Sequence, residues 1–335
     1  MFIESTREIR LASYPAGLPT AANFELATTP VPPLKQGEVL VKNLWMSVDP
    51  YMRGRMVNRE SYIPPFQIGK ALDGGAVGEV IESSSPRLKV GDVVLHQFGW
   101  REHVVATDSA FHLIDTRLAP PQAWLGAIGM PGMTAWTGLT RIARAQPGET
   151  VFVSAASGAV GTIAVQIAKI LGCRVVASVG SEEKAELART LGADAVINYR
   201  SARDLTAALH MAAPEGIDVY FENVGGSHLE AALNLLKPNG RVALCGMIEQ
   251  YNATEAPRGP ANLGLAIVKR LRLEGFIVSD HWGHYPEFVK AMAGWLAAGK
   301  IQTRDTIREG LAAAPDAFIG LFRGENTGKM LVKLA

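Results

Sequence analysis

Cysteine is nearly missing from this 335-residue chain: there are only Cys173 and Cys245, and residues 1–125 contain none. Two isolated cysteines cannot build a four-cysteine structural zinc site. Each lies in or beside an apolar, strand-like run, which reads as a buried thiol rather than half of a disulfide. Long apolar runs are missing too. The longest candidates, such as Val242-Ala243-Leu244-Cys245-Gly246-Met247-Ile248, have the length of a buried strand, far short of the ~20 residues that cross a bilayer as a helix. The opening Met1-Phe2-Ile3-Glu4-Ser5-Thr6-Arg7 has no apolar core after a basic start, so no secretory signal is expected and a cytoplasmic protein is the simplest reading. Nor is there an excess of either charge: 33 Lys and Arg face 32 Asp and Glu, for a net charge of +1. A surface that tracks phosphates normally shows a basic excess, so neither a nucleic acid nor a membrane is expected as a partner. Internal repeats, low-complexity tracts and obvious linkers are likewise absent.

What the chain does have is the length for two domains and an ordinary 48% of hydrophobic residues. Residues 1–125 carry short apolar runs divided by turns. Glu38-Val39-Leu40-Val41-Lys42, Ala76-Val77-Gly78-Glu79-Val80-Ile81 and Gly91-Asp92-Val93-Val94-Leu95 are the clearest. Their spacing suggests an all-β, barrel-like unit. From about Leu125 apolar strands alternate with segments of helical period. Thr150–Val153 precedes a helix with Ile163, Ala164, Ile167, Ala168, Ile170 and Leu171 on one face. Arg174–Val179 is the next strand, and Glu182–Leu191 the next helix, with Gly192 well placed as its C-cap. Further strands are read at Ala195–Ile197, Asp218–Phe221, Arg241–Leu244 and Leu273–Val278. Six strands with intervening helices predict an α/β domain built on a doubly wound parallel sheet. Its expected span is residues 126–298. The tail, 299–335, closes with Lys329-Met330-Leu331-Val332-Lys333 and is expected to rejoin the first domain, 1–125.

The strongest single motif is Ala155-Ala156-Ser157-Gly158-Ala159-Val160-Gly161, which follows a strand and opens a helix. Gly158 would let a backbone approach a pyrophosphate, and Gly161 would allow close packing of helix on sheet. The diphosphate would lie at the positive end of the helix dipole. Ala156 replaces the usual first glycine, so the fingerprint is A-x-G-x-x-G. An NAD site usually carries a carboxylate about 20 positions on, at the tip of the second strand. Here that tip reads Ser178-Val179-Gly180-Ser181, with Lys184 in the next turn and Tyr199 ending the third strand. Small residues leave room for a 2′-phosphate and Lys184 could neutralise it, so NADP(H) is the expected cofactor. The alternative is that Lys184 is simply solvated while Glu182 or Glu183 reads the ribose.

With the domain order and the 155–161 turn, the chain resembles the medium-chain dehydrogenase/reductase superfamily. Met46-Ser47-Val48-Asp49-Pro50-Tyr51-Met52-Arg53, Gly129-Met130-Pro131-Gly132-Met133-Thr134-Ala135, Glu222-Asn223-Val224-Gly225-Gly226 and Gly324-Glu325-Asn326-Thr327-Gly328-Lys329-Met330 narrow the likeness. They resemble the zinc-free leukotriene hydroxydehydrogenase/prostaglandin reductase branch, which includes plant alkenal double-bond reductases and bacterial NADPH-dependent curcumin reductase. The resemblance implies a GroES-like β-barrel catalytic domain, a Rossmann domain, a cofactor in the cleft between them, and a homodimer. By position it implies Lys184 and Tyr199 at the 2′-phosphate and Gly158, Ala159 and Val160 along the diphosphate. Asn223, Cys245, Gly246 and Asn326 would contact the sugars and the chain between them. Met130 and Thr134 would flank the nicotinamide, and the backbone of Phe276 and Val278 would address its carboxamide. Tyr51 and Tyr251 would face the substrate. Plainer roles exist for several of these: core packing for Met130, a strand-end cap for Asn223, a partly buried ring for Tyr51.

The alcohol dehydrogenases of this superfamily carry a catalytic zinc in the first domain. Here that domain has no cysteine, and Gly69-Lys70-Ala71-Leu72-Asp73-Gly74-Gly75 lacks a histidine. His281 and His284 beside Asp280 form the one close histidine pair, on a loop where such spacing is usually incidental, so no metal is expected. Without a Lewis acid on the carbonyl oxygen, the chemistry that suits the remaining groups is conjugate reduction. Hydride would go to the β-carbon of an α,β-unsaturated aldehyde or ketone, with tyrosine hydroxyls holding the enolate oxygen. Two rivals stand beside this reading: a zinc-free NADPH quinone oxidoreductase and a non-catalytic NADPH-binding protein. Alcohol oxidation in the reverse sense ranks below them.

Overall fold

A computed structural model of the chain describes residues 3–335; Met1 and Phe2, at the start of the segment read for a leader, lie outside the described residues. Two compact units form. The first takes the chain up to Leu125 with Asp305–Asn326 and Met330–Ala335, and the second takes Gly126–Arg304 with Thr327–Lys329.

In the first unit β1 (Ser5–Leu11) pairs antiparallel with β2 (Phe24–Pro30). β3 (Glu38–Ser47), β4 (Ala76–Ser83), β5 (Val93–His96), β6 (His103–Thr107) and β7 (His112–Leu113) follow. Long β3 pairs with both β4 and β6, so Val41 lies opposite Val80 on one side and Val104 on the other. The inward-facing Val39, Val41, Val80, Val94 and Phe111 make one core, as period-2 alternation requires. A second core gathers Met46, Val48, Met52, Met56, Trp100 and Phe318. It supports the single helical turn α1 (Met52–Arg55) that follows Tyr51.

In the second unit β8 (Thr150–Val153), β9 (Arg174–Val179), β10 (Ala195–Asn198), β11 (Ile217–Glu222), β12 (Leu236–Leu244) and β13 (Arg272–Gly275) form a six-stranded sheet in the order β10-β9-β8-β11-β12-β13. The pairings are parallel throughout. All four residues of β8 are buried, the pattern of a strand covered on both faces. The covering helices are α2 (Met130–Thr137), α3 (Ala159–Ile170), α4 (Glu182–Thr190), α5 (Leu205–Ala212), α6 (Gly226–Leu235), α7 (Leu265–Lys269) and α8 (Tyr285–Ala297). The order reverses between β8 and β11, and ligands of such sheets collect at the strand ends beside that switch.

The tail supplies β14 (Asp305–Glu309), helix α9 (Ala314–Arg323) and β15 (Lys329–Lys333). β15 pairs with β3, completing the first unit's seven-stranded sheet. The parallel sheet beside a β-rich unit is the expected fold class, with differences at strand ends. The strand read as Leu273–Val278 stops at Gly275, because its neighbour β12 ends at Leu244, the partner of Gly275. Val278 instead opens a 3-10 turn, Val278–His284. β12 begins earlier than read, at Leu236, and reaches its regular register only after a shift between Ile217 and Val219 of β11. Among the described residues no helix is long and apolar enough to cross a membrane.

Close packing in the second unit depends on glycine at α2. A Cβ on Gly132 would lie 1.8 Å from the Ala127 carbonyl oxygen and 3.1 Å from the Phe288 ring, and backbone cannot yield as a side chain can. Gly132→Ala is expected to cost about 1–3 kcal/mol, read as a lower urea midpoint at unchanged slope. An unshifted midpoint would mean that α2 relaxes freely.

Candidate active site

Between β8 and α3 the chain makes a sharp turn in which Ala155 takes φ +47°. The Ala156 N–H donates to the Ser178 carbonyl on β9 at 3.0 Å, and Gly158 N–H to Ala155 O at 3.0 Å. The two glycines do different work. A Cβ on Gly161 would lie 2.2 Å from Ala155 O and 2.7 Å from Ala156 Cα, so the helix can sit on the turn only without one. At Gly158 it would meet nothing closer than Ala155 O at 3.3 Å, with an ordinary φ of −83°. The protein's own packing therefore makes little demand on Gly158. What glycine provides there is open backbone beside the first turn of α3, whose N-cap has no side chain to bond its N–H groups. Ala159 and Val160 supply two of those N–H groups, which suits a diphosphate. Gly328, from the tail, borders the same turn: its N–H donates to Ser157 O at 2.8 Å.

At the tip of β9, Ser181 caps α4 by accepting from the Lys184 N–H. Tyr199, just beyond β10, turns its hydroxyl over Gly180: a Cβ there would come within 2.9 Å of it. The small residue at this tip thus makes room for a phenol. Lys184 is half-buried. Burial first, then the charge of Arg200, hold its ammonium below the ordinary 10.5, with Glu183 opposing. Arg200 escaped the sequence reading although it follows Tyr199 directly. Two cations on one rim repel each other, and a dianionic group placed between them relieves that repulsion. Glu182, the rival ribose reader, accepts from the Asn198 amide at 2.8 Å and so ties α4 to β10.

The end of β11 is organised by Glu222, which is fully buried. Its Oε1 accepts from the Tyr220 hydroxyl at 2.7 Å, the Ser154 hydroxyl at 3.1 Å, and the Val224 and Gly225 N–H groups at 2.6 and 3.0 Å. Oε2 has no partner among the described residues. Burial outweighs these donors and raises the carboxyl above its usual range. Asn223 donates its amide to Ser154 O at 2.8 Å, and its own N–H to Ser154 Oγ at 2.9 Å. Both bonds make it a strand-end cap, the plainer role read for it. The N–H groups of Cys245 and Gly246 both donate to Glu222 O, at 3.0 and 3.1 Å. Burial, with Glu222 adding, pushes the Cys245 thiol up to about 12, so it stays protonated and is no nucleophile at neutral pH. Ser154 and Glu222 were both missed; two polar residues ending apolar strands were the available signal.

Cys245, Gly246, Met247, Phe276, Ile277 and Asp280 line an open cavity of about 360 Å³ at the carboxyl ends of β12 and β13. Tyr251 follows the turn Ile248–Gln250, and its hydroxyl lies over Gly246, 3.0 Å from where a Cβ would stand. Phe276 is buried, and Val278 begins the neighbouring 3-10 turn, which packs on α2. On α2, Thr134 donates to Met130 O at 2.8 Å and lies 3.7 Å from Met130 Sδ, so both residues have a packing role on the helix. His281 packs edge-on against Phe276 and His284 lies 3.8 Å from Glu287. Among the described residues no three of His, Cys, Asp and Glu are grouped to hold a metal.

Tyr51 and Asn326 belong to the first unit. Burial raises the Tyr51 phenol above its ordinary value of 10; Asp49 and then Asp73 add to the shift, and Arg55 opposes it. Asp49 is itself buried and accepts from the Ser47 hydroxyl. Arg55 is paired with Asp73, donates to Pro64 O at 2.9 Å and lies 3.9 Å over the Phe66 ring.

Comparison with known proteins meets these features at full length. A family model described as the N-terminal domain of oxidoreductase matches residues 7–114, and one described as zinc-binding dehydrogenase matches residues 159–294. YfmJ of Bacillus subtilis, an NADP-dependent oxidoreductase by name, is 49% identical over 99% of this chain and 98% of its own. The chain belongs to the medium-chain dehydrogenase/reductase family. Within the family, the NADP(+)-dependent 2-alkenal reductase of Nicotiana tabacum is 42% identical over 99% of this chain and 98% of its own. CurA of Vibrio vulnificus, solved in complex with NADPH, is 43% identical and superposes with a TM-score of 0.94, covering 98% of this chain and 99% of that one. The branch is that of the curcumin, alkenal and prostaglandin reductases. As a member of this family the second unit fits a phosphorylated dinucleotide in three respects: uncapped helix N-terminus, cationic rim, and open glycine at 158.

Lys184→Ala is expected to weaken NADP⁺ binding by about 1.5–3 kcal/mol, the worth of a charge-assisted contact, while NAD⁺ affinity stays unchanged. Fluorescence titration of both cofactors reads this directly, and equal losses for the two would remove Lys184 from the 2′-phosphate.

Proposed function

We propose that this NADP(H)-dependent oxidoreductase reduces the carbon–carbon double bond of α,β-unsaturated aldehydes and ketones. The observation that carries the reading is Tyr51: a phenol that burial holds above its ordinary value of 10, within the segment Met46–Arg53 that resembles the alkenal and prostaglandin reductases. The names of relatives that act on alkenals and on curcumin support it.

NADPH, when bound, would supply a hydride for the β-carbon of the enone. Lys184, Tyr199 and Arg200 would hold its 2′-phosphate, Gly158, Ala159 and Val160 its diphosphate, and Asn223, Cys245, Gly246 and Asn326 its sugars. Met130 and Thr134 would flank the nicotinamide, and the backbone of Phe276 and Val278 would address its carboxamide. As negative charge gathers on the carbonyl oxygen, a neutral phenol is the donor that gains most strength, because its hydrogen bond becomes charge-assisted. Tyr51 has that role, with Tyr251 as the second hydroxyl, and water delivers the proton to the α-carbon. Positioning accounts for most of the rate.

The resemblance also implies a homodimer. In the second unit β13 is an edge strand, and the nearby Leu263, Ile267 and Val268 are 49%, 83% and 69% exposed. We place the self-association face there. Ile267→Glu is expected to halve the sedimenting mass, whereas an unchanged mass would locate the contact elsewhere.

The deciding assay follows NADPH consumption with 2-nonenal, a phenyl-substituted enone and a simple quinone, with the products identified. Saturated carbonyl products from the first two are expected, and reduction of the quinone alone would favour the quinone oxidoreductase reading. Tyr51→Phe is expected to lower kcat by about 10²-fold, as loss of one oxyanion donor does, with NADPH affinity kept. Because the folded phenol titrates above 10, it remains a donor throughout the neutral range. The pH profile of kcat should therefore show no loss from Tyr51 until pH exceeds about 10, and an earlier loss that vanishes in Tyr51→Phe would contradict this.

A further inference from the structure

His228 has no part in the site as described, yet it lies under one edge of it. It sits in the first turn of α6, is 3% exposed, and places Nε2 2.9 Å from Ser178 Oγ on β9. Its ring meets the Tyr199 ring edge to face, with centroids 5.0 Å apart and planes at 77°. Nδ1 is buried with no partner among the described residues. Burial alone lowers the imidazole to about 4, with no charged group contributing, so His228 is neutral at pH 7 and offers a phosphate no charge of its own. What it does offer is mechanical. One ring joins α6, the tip of β9 and the residue that follows β10. Tyr199 needs such a support: it is only partly buried, and its hydroxyl must be held over Gly180.

We propose that His228 is a positioning residue for recognition of the cofactor's 2′-phosphate, acting through Tyr199. The inference rests on the assignment of that phosphate to Lys184 and Tyr199. A core histidine chosen only for volume would stabilise the sheet and leave cofactor preference alone. A histidine that aims Tyr199 separates the cofactors, because NADP⁺ and NAD⁺ differ only in the group Tyr199 addresses.

The test is calorimetric titration of NADP⁺ and of NAD⁺ into the full chain, with folding checked by circular dichroism. His228→Ala is expected to weaken NADP⁺ about tenfold and NAD⁺ less than about twofold, since the ring contact and the hydrogen bond are lost together. His228→Phe keeps the ring against Tyr199 and is expected to recover most of the NADP⁺ affinity. His228→Gln keeps a bond to Ser178 without the ring and is expected to resemble His228→Ala, which preserves the test if the alanine variant does not fold. Equal losses for both cofactors, or wild-type NADP⁺ affinity in His228→Gln, would overturn the proposal. Tyr199→Leu separates the two levels. If it leaves the NADP⁺ to NAD⁺ ratio unchanged, the 2′-phosphate assignment itself fails and the inference with it. If it collapses the ratio while the His228 variants do not, His228 alone is wrongly assigned.

Discussion

Donors from two side chains and two peptide groups converge on one oxygen of Glu222, and the ends of the central strands hang on that convergence. In a dry interior each of those hydrogen bonds is strengthened, and each donor would be costly to leave unmade. The carboxyl thus locks the Ser154 hydroxyl at the end of β8 to the turn after β11. Ser154 in turn fixes Asn223, while the Glu222 carbonyl takes the Cys245 and Gly246 N–H groups. The 155–161 turn, Asn223 and the cavity wall become one frame, which is what a cofactor needs if its reactive ring is to be held within a fraction of an ångström.

The parallel sheet was legible because its strands are uninterrupted apolar runs with turns between them, and because Gly158 and Gly161 stand in a strand–turn–helix context. Local chemistry also pointed to Lys184 as a counter-charge, whereas the expected role of Tyr199 came from resemblance. The 276–278 segment was misread as strand because its apolar pattern continues past Gly275, whereas the ladder stops where β12 does; pairing is a property of the neighbour. Glu222, Ser154, Arg200 and His228 were not legible for a related reason. Each owes its importance to a partner distant in sequence, as Ser154 does to Glu222 and His228 to Ser178. Tyr51 and Tyr251 came from resemblance rather than from periodicity, since nothing local distinguishes a substrate-facing phenol from a packed one.

The two units divide the chemistry. The second offers fixed dipoles and cations on rigid strand ends, suited to gripping a polyanionic ligand whatever the substrate. The first places Tyr51 beside Asp49, Arg55 and Asp73, at the start of a one-turn helix over a methionine-rich core. Methionine cores adapt their shape at little cost. Side-chain changes around Tyr51 can thus be absorbed within the first unit's own core.

The meeting of Gly158 with Gly328 joins positions roughly 170 apart in the chain. Such a distant closure is among the slowest contacts a folding polypeptide makes. Gly328 can occupy the spot only as glycine, at φ +70° and with Arg304 O 1.9 Å from where a Cβ would stand. The rim of the phosphate turn therefore depends on a segment far along the chain. A dinucleotide that binds the turn favours only the chain whose tail has reached it, and so stabilises the folded state as well as serving as a reagent.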